Sequence, residues 1–299
     1  MIEISMKSAR SLMRTGVLAV AAMAAMTGQA SAQRYFLSPQ AAVDALVDSL
    51  ATQDDAKLRA LLGPGGGELI ALDDVSADDR YEFLAAWAKG HRVVAEGRSR
   101  ARLVLQDGWS LPIPITRSGN GWSFDARAGR QEMQLRRIGR NELAAIESMR
   151  AYVEAQKEFA ALQSKGGTPV FAQRILSTPG QRDGLYWTTA PGEPLSPLGP
   201  LFEGTNIQGG YHGYNFRILK AQGPSAVGGA KNFVTGGQMT GGFGLVGWPV
   251  RFGETGVKTF IVNQDGTVYQ KSLGPNTAAI ASAMTRFNPD PSWEAVPTR

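Results

Sequence analysis

Residues 131–163, QEMQLRRIGRNELAAIESMRAYVEAQKEFAALQ, decide how the chain is organised. Ile138, Ile146, Met149, Tyr152, Val153, Phe159 and Ala160 recur at helical spacing, and one unbroken helix here would be about 48 Å long at 1.5 Å per residue. The turn holding Arg136, Arg137 and Arg140 is polar on most faces, and Asn141 can cap a new helix after Gly139-Arg140. The pattern therefore allows either one continuous helix or a break near Gly139–Asn141. In both cases it separates two stretches of different character, so we expect two domains, at residues 33–130 and 131–299.

The first stretch opens with Ser38-Pro39 and QAAVDALVDSLATQD, where Val43, Leu46, Val47 and Leu50 share a helical face, Ser38 can cap and Pro39 suits the first helical position. A second helix is predicted from Asp54 to Leu62, stopped by Gly63-Pro64-Gly65, and a third from Ala77 to Lys89. ARLVLQ, WSLPIPIT and GWSFDAR then read as strands divided by turns at Asp107-Gly108 and Ser118–Gly121, with Pro112 and Pro114 suited only to an edge strand. Helices followed by an antiparallel sheet make an α+β unit. Beyond residue 163 the chain is rich in Gly and Pro up to Gly210. Short strands follow in YHGYNFRIL, GFGLVGWPV, VKTFIVN and TVYQKSL, then a short helix in NTAAIASAMTRF and a frayed tail after Pro289.

Residues 1–32 read as a secretory signal: Lys7, Arg10 and Arg14 precede an apolar run of 11 residues, Gly16–Met26, and Ala30-Ser31-Ala32 offers a small-residue cleavage site. Spanning a bilayer takes about 18 to 20 residues, so the run is too short for an anchor. The expectation is a periplasmic or secreted chain cut near Ala32, with no transmembrane anchor after cleavage. Removing those residues leaves 28 basic and 25 acidic side chains, a net charge of +3. No run of like charge suggests a nucleic-acid partner. The chain has no cysteine, which excludes disulfides, thiol nucleophiles and cysteine zinc sites.

The order of elements in residues 33–130 resembles the cone-shaped nuclear-transport-factor-like fold, in which helices cover a curved sheet and a cavity can hold a ligand. NELAAIESMRAYVEAQKEFA and TGVKTFIVNQDGTVYQ resemble the helix and terminal hairpin of type IV pilin and pseudopilin globular domains. In those proteins the helix begins as an apolar polymerising segment. Here QLRRIGRNE takes its place, so polymerisation is not implied. Through IGRNELAAI, FAQRILSTPGQRDGLYW, PLSPLGPL, YHGYNFRIL, GFGLVGWP and TFIVNQDGTVYQKSLGPNTAAIA the chain resembles the bacterial family catalogued as domain of unknown function 2950. That resemblance implies no activity.

No residue pattern announces a catalyst. A Gly-x-Ser-x-Gly elbow is missing after residue 32, and the glycine clusters lack the context of a phosphate loop. Asn263 and Asp265 lack the further carboxylates of a calcium loop, and Gln264-Asp265-Gly266 suits a tight turn. His91 and His212 are far apart in sequence; no metal site and no cofactor is expected. The aromatic residues of the Gly-rich half, Tyr186, Trp187, Tyr211, Tyr214 and Trp248, together with His212, are the candidate binding residues, because aromatic side chains offer large contact area for little lost rotamer freedom. The expected function is non-catalytic binding or scaffolding of an envelope protein or polymer. One alternative is an envelope polymer hydrolase using His212 or two of Asp183, Glu193, Glu203, Glu254 and Asp265. The other is a small-ligand carrier, with an N-terminal cavity lined by Trp87, Trp109 and Trp122.

Overall fold

The computed structural model describes residues 33–63, 65–66, 76–164, 167–190, 192–193, 195–199 and 210–297. Residues 1–32, where a secretory signal is expected, and Glu203 lie outside the described residues. The chain is of the α+β class expected from its sequence. Its first elements are α1 (Pro39–Ala51), α2 (Asp55–Leu62), α3 (Ala77–Lys89), β1 (His91–Ala95), β2 (Arg100–Leu105), β3 (Ile115–Ser118) and β4 (Gly121–Phe124).

Each of these helices starts where a polar side chain can satisfy its free N–H groups. Ser38 Oγ accepts from Ala41 N at 3.1 Å, Asp54 Oδ1 accepts from Lys57 N at 2.9 Å, and Ser76 and Asp79 form a reciprocal capping box. The four strands form an antiparallel sheet in the order β1-β2-β3-β4. The helices cover one face through Val43, Leu46, Leu58 and Leu61 against Leu103, Ile115 and Phe124. Strand β1 is not signalled in the sequence because it is an edge strand whose side chains are mostly exposed, so it carries no apolar alternation. Pro112 and Pro114 do not sit in an edge strand. They lie in the connection before β3, an interior strand that begins only after the second proline.

The stretch of undecided continuity is one helix, α4 (Ala126–Gln163), of 38 residues and so about 57 Å long. Asp125 caps it, accepting from Ala128 N at 2.9 Å. The helix begins five residues before the expected boundary, and a division at 130/131 falls inside it. Its polar middle is continuous because loops on two sides use the polar groups. Toward the first sheet, Arg136 donates to the carbonyl and hydroxyl oxygens of Ser110 at 2.7 and 2.9 Å and to Glu132 at 2.9 Å. Toward the second, Asn141 donates to Thr255 O at 2.8 Å, and Glu142 Oε1 accepts from Val257 N and Lys258 N at 2.8 and 3.0 Å. Asn141 therefore spends its side chain on a distant loop and caps nothing. Gly139, the residue that invites a break, has open space where a Cβ would stand. Gly139→Ala should raise unfolding free energy by about 0.5–1 kcal/mol, by restricting the unfolded chain and favouring the helix, as read by urea denaturation.

The remaining elements are β5 (Tyr214–Leu219), β6 (Ala221–Gln222), β7 (Lys231–Asn232), β8 (Val234–Thr235), β9 (Gln238–Met239), β10 (Gly244–Pro249), β11 (Thr259–Asn263), β12 (Tyr269–Lys271), α5 (Thr277–Ala283) and β13 (Glu294–Ala295). Five of these strands form an antiparallel sheet in the order β13-β12-β11-β10-β5, and the pairs β6-β7 and β8-β9 form two small ribbons. One face packs on α4 through Met149, Tyr152, Val153 and Phe159 against Leu245, Phe260 and Val262. The other carries Val246, Trp248 and Ile261 against Ala281 of α5 and Phe287. Coverage on both faces explains why β10 and β11 are buried throughout and read as apolar runs. At Gly247 an added Cβ would stand 2.7 Å from Met149 Cε and 2.9 Å from a ring carbon of Phe216, so the close approach of α4 depends on that glycine. Part of the tail read as frayed is in the sheet, since Ala295 pairs with Tyr269 and Glu294 with Gln270. Between β11 and β12, Asp265 N donates to Asn263 Oδ1 at 3.2 Å and Gly266 takes φ 80°, the turn expected there.

Candidate binding grooves around residues 171–188

The segment that follows α4 is anchored by one buried glutamine. Gln156 Oε1 accepts from Ala172 N at 2.8 Å, while its Nε2 donates to Ala172 O and to Tyr152 Oη, each at 2.9 Å. Tyr152 Oη donates onward to Gly244 O at 3.0 Å, and burial pushes its phenol well above the ordinary range. Gln156 thus treats Ala172 as a neighbouring strand would, and ties it to β10 through Tyr152.

From this anchor the chain runs out and back. Tyr186 N donates to Ile175 O and Ser177 N to Tyr186 O, both at 2.8 Å, which sets residues 175–177 beside 186. Gly184 fits here because a Cβ would stand 2.8 Å from backbone atoms of Leu176 and Ser177. Asp183 closes the intervening loop: its carboxylate accepts from Thr178 N at 2.7 Å and Thr178 Oγ1 at 2.8 Å, with Arg174 at 3.5 Å. The Thr178 backbone bond, then its hydroxyl, hold the Asp183 carboxyl below the usual carboxylate range, and Arg174 adds to them.

Three contiguous grooves surround this out-and-back segment. One of about 680 Å³ runs between Arg174–Leu176 and Phe216–Ile218 of β5. A second, about 580 Å³, lies between the 177–182 loop and Tyr186 and Trp187. The third, about 470 Å³, is bordered by Phe171, Asp183 and Lys220. Arg174 borders the first and third, Leu176 the first and second, and Arg182 the second and third. In the second groove the Arg182 guanidinium stands 5.5 Å from the centre of the Trp187 ring. The half-buried indole keeps a buried N–H that finds no acceptor among the described residues.

The sequence-predicted residues divide among different environments. Tyr186 and Trp187 share the second groove. Tyr211 borders a separate void of about 30 Å³ that meets the first groove at Ile175 and Phe216. His212 is exposed at a hairpin tip with φ 48°, followed by Gly213 at φ 75°, and Tyr211 and Tyr214 exchange both backbone hydrogen bonds around it. Tyr214 is fully buried under α4 and donates to Lys258 O at 2.9 Å, while Trp248 is buried on the α5 side, so both serve packing. Among the described candidate carboxylates, Glu193 pairs with Arg182, Glu254 with Arg251, and Asp265 belongs to its turn. Of the three N-terminal indoles, Trp87 and Trp122 pack against the first core. Trp87 stacks on His91 at 4.3 Å, Trp109 meets Phe83 edge-on at 6.1 Å, and the backbone of Trp122 bonds that of Phe36.

Sequence reasoning missed Gln156, Arg174 and the groove beside β5. A glutamine flanked by Tyr152, Val153, Phe159 and Ala160 on a helical stripe is the one available sign of a buried polar anchor. Comparison with curated proteins and with solved structures returns no match. The family profile described as "Protein of unknown function (DUF2950)" matches residues 33–296, nearly the whole chain, and the protein belongs to that family.

Proposed function

We propose that the protein acts by binding or scaffolding in the bacterial cell envelope, after export and cleavage near Ala32, and that the grooves around residues 171–188 receive its partner, an envelope protein or polymer. The observation that carries this reading is Trp187: a half-buried indole beside a groove, with a cation on its ring and an indole N–H lacking an acceptor among the described residues. Large amphipathic side chains in such partly enclosed positions dominate recognition energetics. Among the described residues no helix is long and apolar enough to cross a membrane. A polymer hydrolase needs one carboxyl that keeps its proton near neutral pH beside a second that is ionised; Asp183, shifted downward, does not fit the first of these roles.

Capture from envelope extract on the immobilised full chain tests the reading. Trp187→Ala should weaken capture by about 30-fold or more, the loss of one recognition hot spot, with only a small change in melting temperature. A stability loss of about 3–5 kcal/mol, typical of a truncated core aromatic, would instead assign Trp187 to packing.

A further inference from the structure

We propose that β5 is a strand-addition edge that takes an extended segment of a partner polypeptide with alternating apolar and acidic side chains. This rests on the binding reading above and names the kind of partner. β5 ends the five-stranded sheet, and among the described residues β10 is its one partner strand, over six unbroken register positions. Around the hairpin tip, the N–H and C=O of Tyr214 both turn away from β10, toward Tyr211. In an antiparallel strand every second residue shares that direction. Phe216 and Ile218 therefore also aim their N–H and C=O away from β10, and both border the groove of about 680 Å³. Residues 173–176 form one wall of this groove, and Met284 and Thr285 border it too.

Long sheet edges are normally blunted by proline, a bulge or an obstructing charge. β5 has neither proline nor bulge, and its one charged residue, Arg217, is drawn to the carbonyls of Ala281 and Met284 at the end of α5. Side-chain chemistry then selects the occupant. On the α4 side, Ile175, Phe216 and Ile218 offer an apolar wall, and the exposed Leu176 borders the same groove. The groove also holds Arg174, Arg217 and Lys220, with no carboxylate among its described lining residues. Arg174 is answered by Asp183, but Arg217 and Lys220 have no carboxylate partner among the described residues. An added strand places successive side chains on opposite faces, so it can set apolar residues against the α4 side and acidic ones near Arg217. Main-chain bonds to Phe216 and Ile218 would supply affinity, and the two faces specificity.

The probe is a capped synthetic peptide of alternating valine and glutamate, titrated into the full chain and followed by fluorescence anisotropy and amide hydrogen exchange. Saturable binding should slow exchange at Phe216 and Ile218 and leave Arg217, already bonded to β10, unchanged. The exposed substitution Lys220→Glu should weaken binding at least tenfold at low salt, and a valine–lysine peptide should not bind. Absence of binding, binding without protection of those two amides, or equal binding of the basic peptide would overturn the proposal. So would concentration-dependent protection of the same amides without peptide, accompanied by a doubled mass in sedimentation, since the occupant would then be a second copy of this chain. Should the peptide fail while capture from extract still depends on Trp187, strand addition alone is refuted. Should the peptide bind while capture ignores Trp187, strand addition stands and the Trp187 assignment falls.

Discussion

Gln156→Leu will cost about 2–6 kcal/mol of unfolding free energy, because it removes the partner of both the N–H and the C=O of Ala172 and leaves two buried polar groups at about 1–3 kcal/mol each. Leucine is close to glutamine in size, so the loss reports hydrogen bonding more than a cavity. Tyr152 keeps its bond to Gly244 O but loses the amide that donates to it. Urea denaturation gives the free energy, and exchange at the Ala172 amide gives the location. The same substitution should loosen residues 171–176 and so weaken any ligand in the adjoining grooves. A cost under about 0.5 kcal/mol, the range of an ordinary surface change, would show that water replaces the glutamine and that Ala172 is not held as described.

Gly256→Ala should cost about 2–3 kcal/mol, the effect of forcing an extra carbon into a filled site. A Cβ at this position would overlap the hydroxyl of Tyr214, whose ring is buried between Phe216 and Phe260 and cannot retreat. Nor can the glycine's own loop, which Asn141 and Glu142 fasten to α4. Tyr214→Phe alone should cost about 1 kcal/mol for the lost bond to Lys258 O. Combined with Gly256→Ala it should recover part of the larger loss, a non-additivity expected of groups in contact. Strict additivity in calorimetric or urea measurements would mean that the glycine matters for its backbone and not for the space it leaves.

Where local chemistry decides structure, the sequence was legible. Ser38 with Pro39, Asp54 with Gly63, and Asn263 to Gly266 each satisfy or turn the backbone within a few residues, and α1, α2 and the last hairpin fall where those residues indicate. The polar middle of α4 was not legible as continuous helix, because its stabilising partners, Ser110 and Thr255, lie 26 and 114 residues away in opposite directions. The candidate site was legible only in part, for a related reason. Tyr186 and Tyr214 both stand among glycines in the sequence, yet one borders a groove and the other fills a core. What separates them is the position of α4 over β5 and β10, a tertiary fact with no local trace. The same holds for the open edge of β5, since a strand's sequence does not say whether it has one neighbour or two.

The place of α4 between two sheets also sets an order in time. Among the described residues the first core draws on those between Phe36 and Ala126, all of which precede the body of the helix, so it closes without waiting for anything downstream. The second cannot do so: Tyr152 finds its acceptor 92 residues later, at Gly244. Contacts that distant in sequence form slowly, since a long loop must close before they are rewarded. A chain threaded N-terminus first therefore carries a finished head followed by an amphipathic helix whose apolar stripe stays bare until β10 and β11 arrive. For that interval the Met149–Phe159 stripe is apolar surface open to solvent, where a folding helper would take hold.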